Sequence, residues 1–126
     1  MKYIILVFFL LISTLTFSQS KKDILTQKWI LNKVEEFGQK YSPMETQKND
    51  WVQFYSNGAF KGIIESKHVE GTWSVHGTNI IVSVNKKLSK TKINWTKVKS
   101  VDKSNFSLEY QNGDLITTTL LFIPEN

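Results

Sequence analysis

The chain contains no cysteine and no arginine, and it has little proline or histidine. Its 126 residues include two prolines and two histidines, and all 16 basic residues are lysines. Without cysteine, the protein has no disulfides, no thiolate nucleophile, no thiolate metal ligands and no lipidated cysteine anchor. Without arginine, it lacks the side chain best suited to bidentate recognition of phosphate or carboxylate groups.

The lysines are spread along the sequence rather than gathered into one basic block. The densest group is modest and consists of Lys86, Lys87, Lys90 and Lys92. A nucleic-acid-binding protein usually concentrates its positive charge on one face. We therefore expect no nucleic-acid partner, and we interpret most of the lysines as solvated strand residues that block pairing between sheet edges.

Motifs for catalysis or metal binding are also absent from the sequence. His68 and His76 fall at or beside predicted turns, and neither has carboxylates at the spacing of a metal site. Glu65 and Glu70 flank one predicted reversal, where solvated charge is typical. There is no phosphate-binding glycine loop or nucleophile elbow. We expect a non-catalytic protein without metal or cofactor; the alternative, an enzyme, would need a polar group deep inside the fold.

The N-terminal segment has the pattern of a secretory signal peptide. A short basic start, Met1-Lys2, precedes a largely apolar stretch that ends at Phe17, and Ser18-Gln19-Ser20 follows as a small, polar cleavage region. The sequence predicts a signal peptide at residues 1–20, cut before Lys21 or one residue earlier, and a periplasmic or secreted protein. A transmembrane anchor is the alternative, but the apolar stretch is shorter than the ~20 residues that span a bilayer. We expect no membrane insertion after cleavage.

The sequence is rich in aromatic residues, which make up 13% of the chain. That content indicates a buried core, and the length fits one globular domain at residues 21–126. Alternation of apolar and polar residues predicts eight strands after a short helical turn within Lys21–Gln27. The predicted strands are Lys28–Phe37, Asp50–Tyr55, Gly58–Ser66, Val69–Val75, Thr78–Asn85, Lys92–Val101, Asn105–Gln111 and Asp114–Ile123.

Short connections decide how these strands pair. Asn57-Gly58, His76-Gly77 and Asn112-Gly113 supply the positive φ angles of tight hairpins. Parallel strands need a crossover of a dozen or more residues, and none is available after Asp50. The sequence therefore predicts an all-β protein, an eight-stranded antiparallel up-and-down β-barrel whose closure removes the sheet edges. A two-sheet sandwich is the alternative, although it needs Greek-key crossings.

Alternation also predicts an aromatic interior. In Lys92–Val101 the alternation slips, and a bulge near Thr96-Lys97 would keep Trp95 inside the barrel. The Gly38–Asn49 loop, which carries Tyr41, is either a lid or a solvated loop. A barrel of this size holds one small ligand or is filled by side chains. The residues expected to line a ligand cavity are Phe54, Phe60, Trp73, Trp95, Phe106, Tyr110 and Tyr41.

These features together resemble the bacterial lipocalin-like domain proteins of the calycin superfamily. The resemblance rests on a helical turn before the first tryptophan (Ile24-Leu25-Thr26-Gln27-Lys28-Trp29), on Val52-Gln53-Phe54-Tyr55-Ser56-Asn57-Gly58-Ala59-Phe60, and on Gly71-Thr72-Trp73-Ser74-Val75. Gln27 stands where the lipocalin signature has glycine, and the arginine that packs over the first tryptophan is missing. The resemblance implies a barrel floor closed by Trp29.

Two functions follow as hypotheses. In the first, the barrel interior binds a small apolar or amphipathic molecule, with the Gly38–Asn49 loop gating entry. In the second, the same rings form a packed core, and the protein is a structural or interaction module that acts through its surface, for example through Trp51 and Tyr55. A cavity of several hundred Å³ would favour the first hypothesis.

Overall fold

A computed structural model describes residues 20–125 of the chain, and the predicted signal peptide lies outside these residues except for Ser20. One short helix begins the described part, and a single 3₁₀ turn interrupts the strands. None of the helices in this part is long and apolar enough to cross a bilayer. The elements are α1 (Ser20–Leu25), β1 (Lys28–Glu36), β2 (Gln39–Tyr41), the 3₁₀ turn (Glu45–Gln47), β3 (Trp51–Phe54), β4 (Ala59–Ile64), β5 (Lys67–His76), β6 (Asn79–Val84), β7 (Ile93–Val101), β8 (Phe106–Asn112) and β9 (Thr117–Pro124).

The strands form one antiparallel sheet that curls into a nearly closed barrel. Its order is β6-β5-β4-β3-β1-β9-β8-β7, with β2 added to the end of β1. Sequential hairpins supply most neighbours, and β1 joins the two halves by pairing with both β3 and β9. The predicted all-β, up-and-down barrel with a helical turn at its start is confirmed.

Closure occurs between β6 and β7, the two ends of the sheet order, and we call this junction the seam. The described strands show no backbone ladder across it. One side-chain hydrogen bond crosses the seam instead, from the Thr96 hydroxyl to the Val82 carbonyl at 2.7 Å. Closure therefore relies on side-chain packing at this one position around the barrel.

The long connection between the first two predicted strands is more ordered than a plain loop. Its first part forms β2, which pairs back on β1 with Val34 opposite Tyr41 and Glu36 opposite Gln39. The turn between them is Phe37–Gly38. The side chain of Gln47, in the 3₁₀ turn, is buried. Residues 20–125 thus form nine strands rather than the eight predicted, and the extra strand anchors the start of the Gly38–Asn49 segment.

Helix α1 closes one end of the barrel. The indole nitrogen of Trp29 donates a hydrogen bond to the Leu25 carbonyl at 3.1 Å, and both side chains are fully buried. Trp29 thus occupies the barrel floor. We call this end the plug end. The opposite end, here called the loop end, carries the turns Phe37–Gly38, Glu65–Ser66 and Gly113–Leu115 together with connections 42–50 and 85–92.

Candidate functional site

The barrel interior is built from aromatic rings that touch one another. Phe54 lies at the centre of the group, with its ring centroid 5.6 Å from Phe60, 5.5 Å from Trp73 and 5.4 Å from Phe106. Phe106 continues the contacts to Trp29 at 5.5 Å. These separations are those of directly packed aromatic pairs. The structure therefore brings together four of the seven residues predicted to line a cavity, and it packs them against each other.

The exposed fractions of these side chains show how completely the interior is filled. A void wide enough for water would leave accessible area on the side chains that line it. Trp29, Phe60, Leu108 and Tyr110 have none, and Phe54 keeps 1%. The interior around these residues therefore has no space for a water molecule, still less for a ligand. The rings instead stabilise the fold as a close-packed core.

Trp95 is not in the interior, and its predicted inward orientation is wrong. The register between β7 and β8 shifts between Ile93 and Trp95 and again between Val98 and Ser100, so the irregularities lie at Asn94 and Lys99 rather than near Thr96-Lys97. Residues opposite each other on neighbouring strands share a face. Trp95 lies opposite Gln111, whereas Thr96 lies opposite the buried Tyr110. The indole of Trp95 is consequently 40% exposed on the outer wall.

Tyr41 and Trp51 lie away from the ring cluster. Tyr41, on β2, is half-buried and packs against the edge of the core. Burial and a hydrogen bond with Glu36 raise the pKa of the Tyr41 phenol above its usual range. Trp51 is half-buried, with the Lys28 ammonium 4.5 Å from its ring centroid, a cation–π contact. Neither Tyr41, which was predicted to line the cavity, nor Trp51 joins the cluster of rings around Phe54.

The loop end concentrates unusual backbone conformations. Among the described residues, four that are not glycine have left-handed backbones, and all four lie in the loop-end turns: Phe37, Glu65, Ser66 and Leu115. At the plug end the positive φ angles belong to Gly58 and Gly77. A left-handed backbone costs a non-glycine residue about 1–2 kcal/mol, and such outliers cluster at functional sites. The loop end is therefore the candidate functional site.

A hydrogen-bonded network holds the Glu65–Ser66 turn. The buried carboxylate of Asp50 accepts the backbone N–H of Glu65 at 2.6 Å and that of Ser66 at 3.1 Å. The Tyr110 hydroxyl donates to Glu65 Oε1 at 2.7 Å. Burial raises the pKa of Asp50, and the turn N–H groups partly oppose that shift. Burial and the adjacent Glu65 carboxylate raise the pKa of Tyr110 far above its usual range.

A second carboxylate, that of Glu36, is hydrogen-bonded to the barrel wall beside this network. Glu36 Oε1 accepts a hydrogen bond from the buried Thr118 hydroxyl at 2.7 Å, and Glu36 also contacts the Tyr41 phenol. The acidic groups at the base of the loop end are thus turned toward the protein. Every buried polar side-chain atom in the described part of the chain has a hydrogen-bond partner, so this network is internally satisfied.

An open cleft of about 320 Å³ lies beside the Glu65–Ser66 turn. Lysines contribute much of its wall, and Glu65 and Asp114 contribute the acidic groups. The lining residues are Glu65, Lys67, Lys90, Thr91, Lys92, Asn112, Gly113 and Asp114. Such a cleft suits an anionic group better than an apolar molecule, because three lysine ammonium groups line it against two carboxylates.

The two histidines take no part in the loop-end turns. His68 contacts the neighbouring Glu70 carboxylate at 2.9 Å, and His76 contacts the Ser74 hydroxyl at 3.1 Å. Both histidines are exposed on β5. Within residues 20–125, no group of three or more metal-ligating side chains is gathered in one place. The features that sequence reasoning missed are the turn positions of Phe37 and Leu115, which alternation placed at the end of the predicted strand Lys28–Phe37 and near the start of Asp114–Ile123.

Comparison with known proteins adds little to this description. No protein-family model matches the chain. No curated protein matches it either. A solved structure that is similar is the NMR structure of a protein from Burkholderia xenovorans, with a TM-score of 0.46 and 13% sequence identity over 83% of this chain and 86% of that chain.

Proposed function

We propose that this protein is an exported, non-catalytic binding module that acts through the loop end of a filled lipocalin-like barrel. The single observation that carries the proposal is the placement of the four left-handed, non-glycine residues, all of them at one end of the barrel. The opposite end makes its positive φ angles with glycine. Strain of this kind persists where the surrounding structure enforces it, as Asp50 and Tyr110 do at Glu65.

The proposal places the binding surface outside the barrel because the interior is packed. The hypothesis of an internal ligand needs the rings around Phe54 to separate, and their present contacts at 5.4–5.6 Å leave no room. Binding at loops on a rigid barrel needs no such rearrangement. The loops supply polar groups in the cleft that Lys67 and Lys92 line. They also supply exposed apolar groups at Phe37 and Leu115.

Export and the lipocalin-like family belong to this proposal as well. The segment before Ser20 supports export through its signal-peptide pattern. The family resemblance is supported by the barrel itself and by Trp29, which lies under α1 as the resemblance implies. A mass measurement of the protein from the host envelope tests export, since cleavage before Lys21 removes residues 1–20.

Site-specific cross-linking tests the location of the binding surface. The native chain lacks cysteine, so Asp114→Cys at the loop end and Asn57→Cys at the plug end each provide one attachment point for a photo-cross-linker. Both positions are exposed turn residues, which makes them a matched pair. In the host envelope we expect adducts from position 114 and few from position 57. Equal labelling from both ends would contradict the proposal.

Native mass spectrometry of the protein purified from its host separates the two functional hypotheses. A filled barrel predicts the mass of the polypeptide alone. A small molecule that co-purifies in stoichiometric amount, and is lost on Trp73→Ala, would instead support the internal-ligand hypothesis. A panel of fluorescent fatty acids and haem gives the same discrimination in solution, with no uptake expected.

A further inference from the structure

Two neighbouring hairpins at the loop end each present a large apolar side chain to solvent. Phe37 is 85% exposed and Leu115 is 71% exposed, the two highest values among the exposed large apolar residues of the described chain. The β1–β9 ladder runs as far as Glu35 opposite Thr119. The Phe37–Gly38 turn comes after the end of β1, and the Gly113–Leu115 turn comes before the start of β9. Both turns therefore lie at the same end of this ladder, and their tips are adjacent.

Both side chains stand at positions that favour other residues. Phe37 and Gly38 have φ angles of 53° and 76°, a two-residue turn in which Asn-Gly is preferred. Leu115, with φ of 65°, is the third residue of a three-residue turn. The similar turn at the plug end has Gly58 in that place. Phe37 and Leu115 thus destabilise their turns and gain little packing, which points to a contact outside the molecule.

The charge around these tips is predominantly positive. The half-exposed carboxylates of Glu36 and Glu65 accept hydrogen bonds from Thr118 and Tyr110, and Asp114 is an exposed acidic residue beside Leu115. Glu45 is paired with Lys48. Exposed lysines occupy the loop-end turns, connections and strand ends, namely Lys40, Lys67, Lys86, Lys87, Lys90 and Lys92. A surface of this kind attracts an anionic partner.

We infer that the loop end docks on an anionic lipid surface, an inference that rests on the proposed function and names its partner. Phe37 and Leu115 enter the headgroup region, and the surrounding lysines contact lipid phosphates while their aliphatic stems follow the apolar residues inward. The two apolar residues are protruding hairpin tips rather than parts of a flat patch. Tips fit a fluid interface, whereas a protein partner needs a continuous packed core.

Co-sedimentation with vesicles tests this inference on the purified protein. The vesicles are equal mixtures of phosphatidylglycerol and phosphatidylcholine, compared with phosphatidylcholine alone. We expect binding to the anionic vesicles, weakened by salt, and little binding to the neutral ones. Phe37→Asn and Leu115→Asn should each weaken binding by about tenfold, because each removes one buried apolar side chain from the interface.

A matched control is Ile81→Thr, which removes an exposed apolar residue from the middle of β6. It should leave vesicle binding unchanged. Both tip variants should melt no lower than the native protein, since asparagine suits a left-handed backbone better than phenylalanine or leucine does, so lost binding is not lost folding. The inference is wrong if the native protein binds neither kind of vesicle, or if Ile81→Thr weakens binding as much as the tip variants do. If cross-links from position 114 lead to a protein rather than to lipid, the lipid surface fails while the proposed function stands.

Discussion

The Tyr110 hydroxyl donates a hydrogen bond to Glu65 Oε1 at 2.7 Å, across 45 positions of sequence. The ring of Tyr110 is fully buried in the barrel, whereas Glu65 belongs to a strained turn at its mouth. The bond therefore ties the packed core to the loop end. Because an ionised phenol beside a carboxylate in a buried site is strongly disfavoured, Tyr110 keeps its proton well above pH 10 in the folded protein.

Tyr110→Phe removes this bond and a pH dependence with it. At pH 7 we expect the free energy of unfolding to fall by only about 1 kcal/mol, since Glu65 is half-exposed and regains a hydrogen bond to water. Above pH 10 the unfolded chain releases the Tyr110 proton and the folded chain retains it, so the native protein loses stability as pH rises. The free-energy gap between native protein and variant should therefore narrow by about 1.4 kcal/mol per pH unit above 10.

Urea unfolding at pH 7, 10 and 11 measures that gap. Other tyrosines and the lysines titrate in the same range, but they are common to both proteins and drop out of the difference. A gap that stays constant from pH 7 to 11 would show that Tyr110 ionises equally in the folded and unfolded states. Tyr55→Phe, on the half-exposed outer tyrosine, is the matched control for the loss of a phenol hydroxyl at pH 7.

The strand pattern of the barrel was predictable because hydrophobic alternation directly reports which face of a strand is buried. Phe54, Phe60, Trp73, Phe106 and Tyr110 are inside as alternation requires. Trp95 is outside because a bulge lies at Asn94, two residues before the predicted place, and a one-residue slip reverses the side chains that follow it. Sequence alone locates a bulge poorly, since the extra residue is fixed by the ladder with β8.

The loop end was less predictable because its contacts are non-local and its turns break local preference. The Asn112-Gly113 pair predicts a positive φ at Gly113, yet Leu115 adopts it. The reason is that the Asn112 side chain accepts the N–H groups of Asp114 and Ile116, which places the left-handed residue two positions later. Similarly, Asp50 reaches the Glu65–Ser66 turn across 15 residues, a contact that no local pattern indicates.

Phe54→Ala tests whether the interior is a packed core. Phe54 contacts three other rings and is 1% exposed, so its removal should cost about 3–5 kcal/mol and leave an apolar cavity. The cavity should bind benzene, which the native barrel excludes. Trp95→Ala, on the outer wall, should cost far less. Thermal unfolding with and without benzene measures both effects, and benzene stabilisation of the native protein would contradict a filled interior.

Asp50→Ala tests whether a single carboxylate enforces the Glu65–Ser66 turn. The change deprives two turn N–H groups of their acceptor, so we expect the free energy of unfolding to fall by about 2–4 kcal/mol. Asp50→Asn retains one carbonyl oxygen, so its free energy of unfolding should fall between those of the native protein and Asp50→Ala. Glu45→Ala, which breaks an exposed pair with Lys48, should leave the unfolding midpoint unchanged. Equal stability of Asp50→Ala and the native protein would show that the turn holds itself.

Exchanging residues between two similar turns tests the backbone strain directly. Leu115→Gly should stabilise the fold by about 0.5–1 kcal/mol, because relief of the left-handed strain exceeds the entropy cost of glycine. Gly58→Ala should destabilise it by about 1 kcal/mol through φ alone, since an added Cβ meets the Trp73 carbonyl oxygen at an ordinary 3.6 Å. Calorimetric melting compares the two. A loss of stability in Leu115→Gly would mean that Leu115 contributes packing that outweighs its strain.

Hydrogen exchange tests the incomplete closure at the seam. The Val82 carbonyl accepts the Thr96 hydroxyl, so the polar groups of Val82 face β7, and those of Ile80 and Val84 face the same way by the alternation of an antiparallel strand. The described ladders pair these groups with no strand, whereas Ile81 and Ser83 face β5. We expect the amides of Ile80, Val82 and Val84 to exchange much faster than those of Ile81 and Ser83. Thr96→Val should widen the difference, because it removes the one hydrogen bond that crosses the seam. Uniformly slow exchange along β6 would indicate a fully hydrogen-bonded barrel.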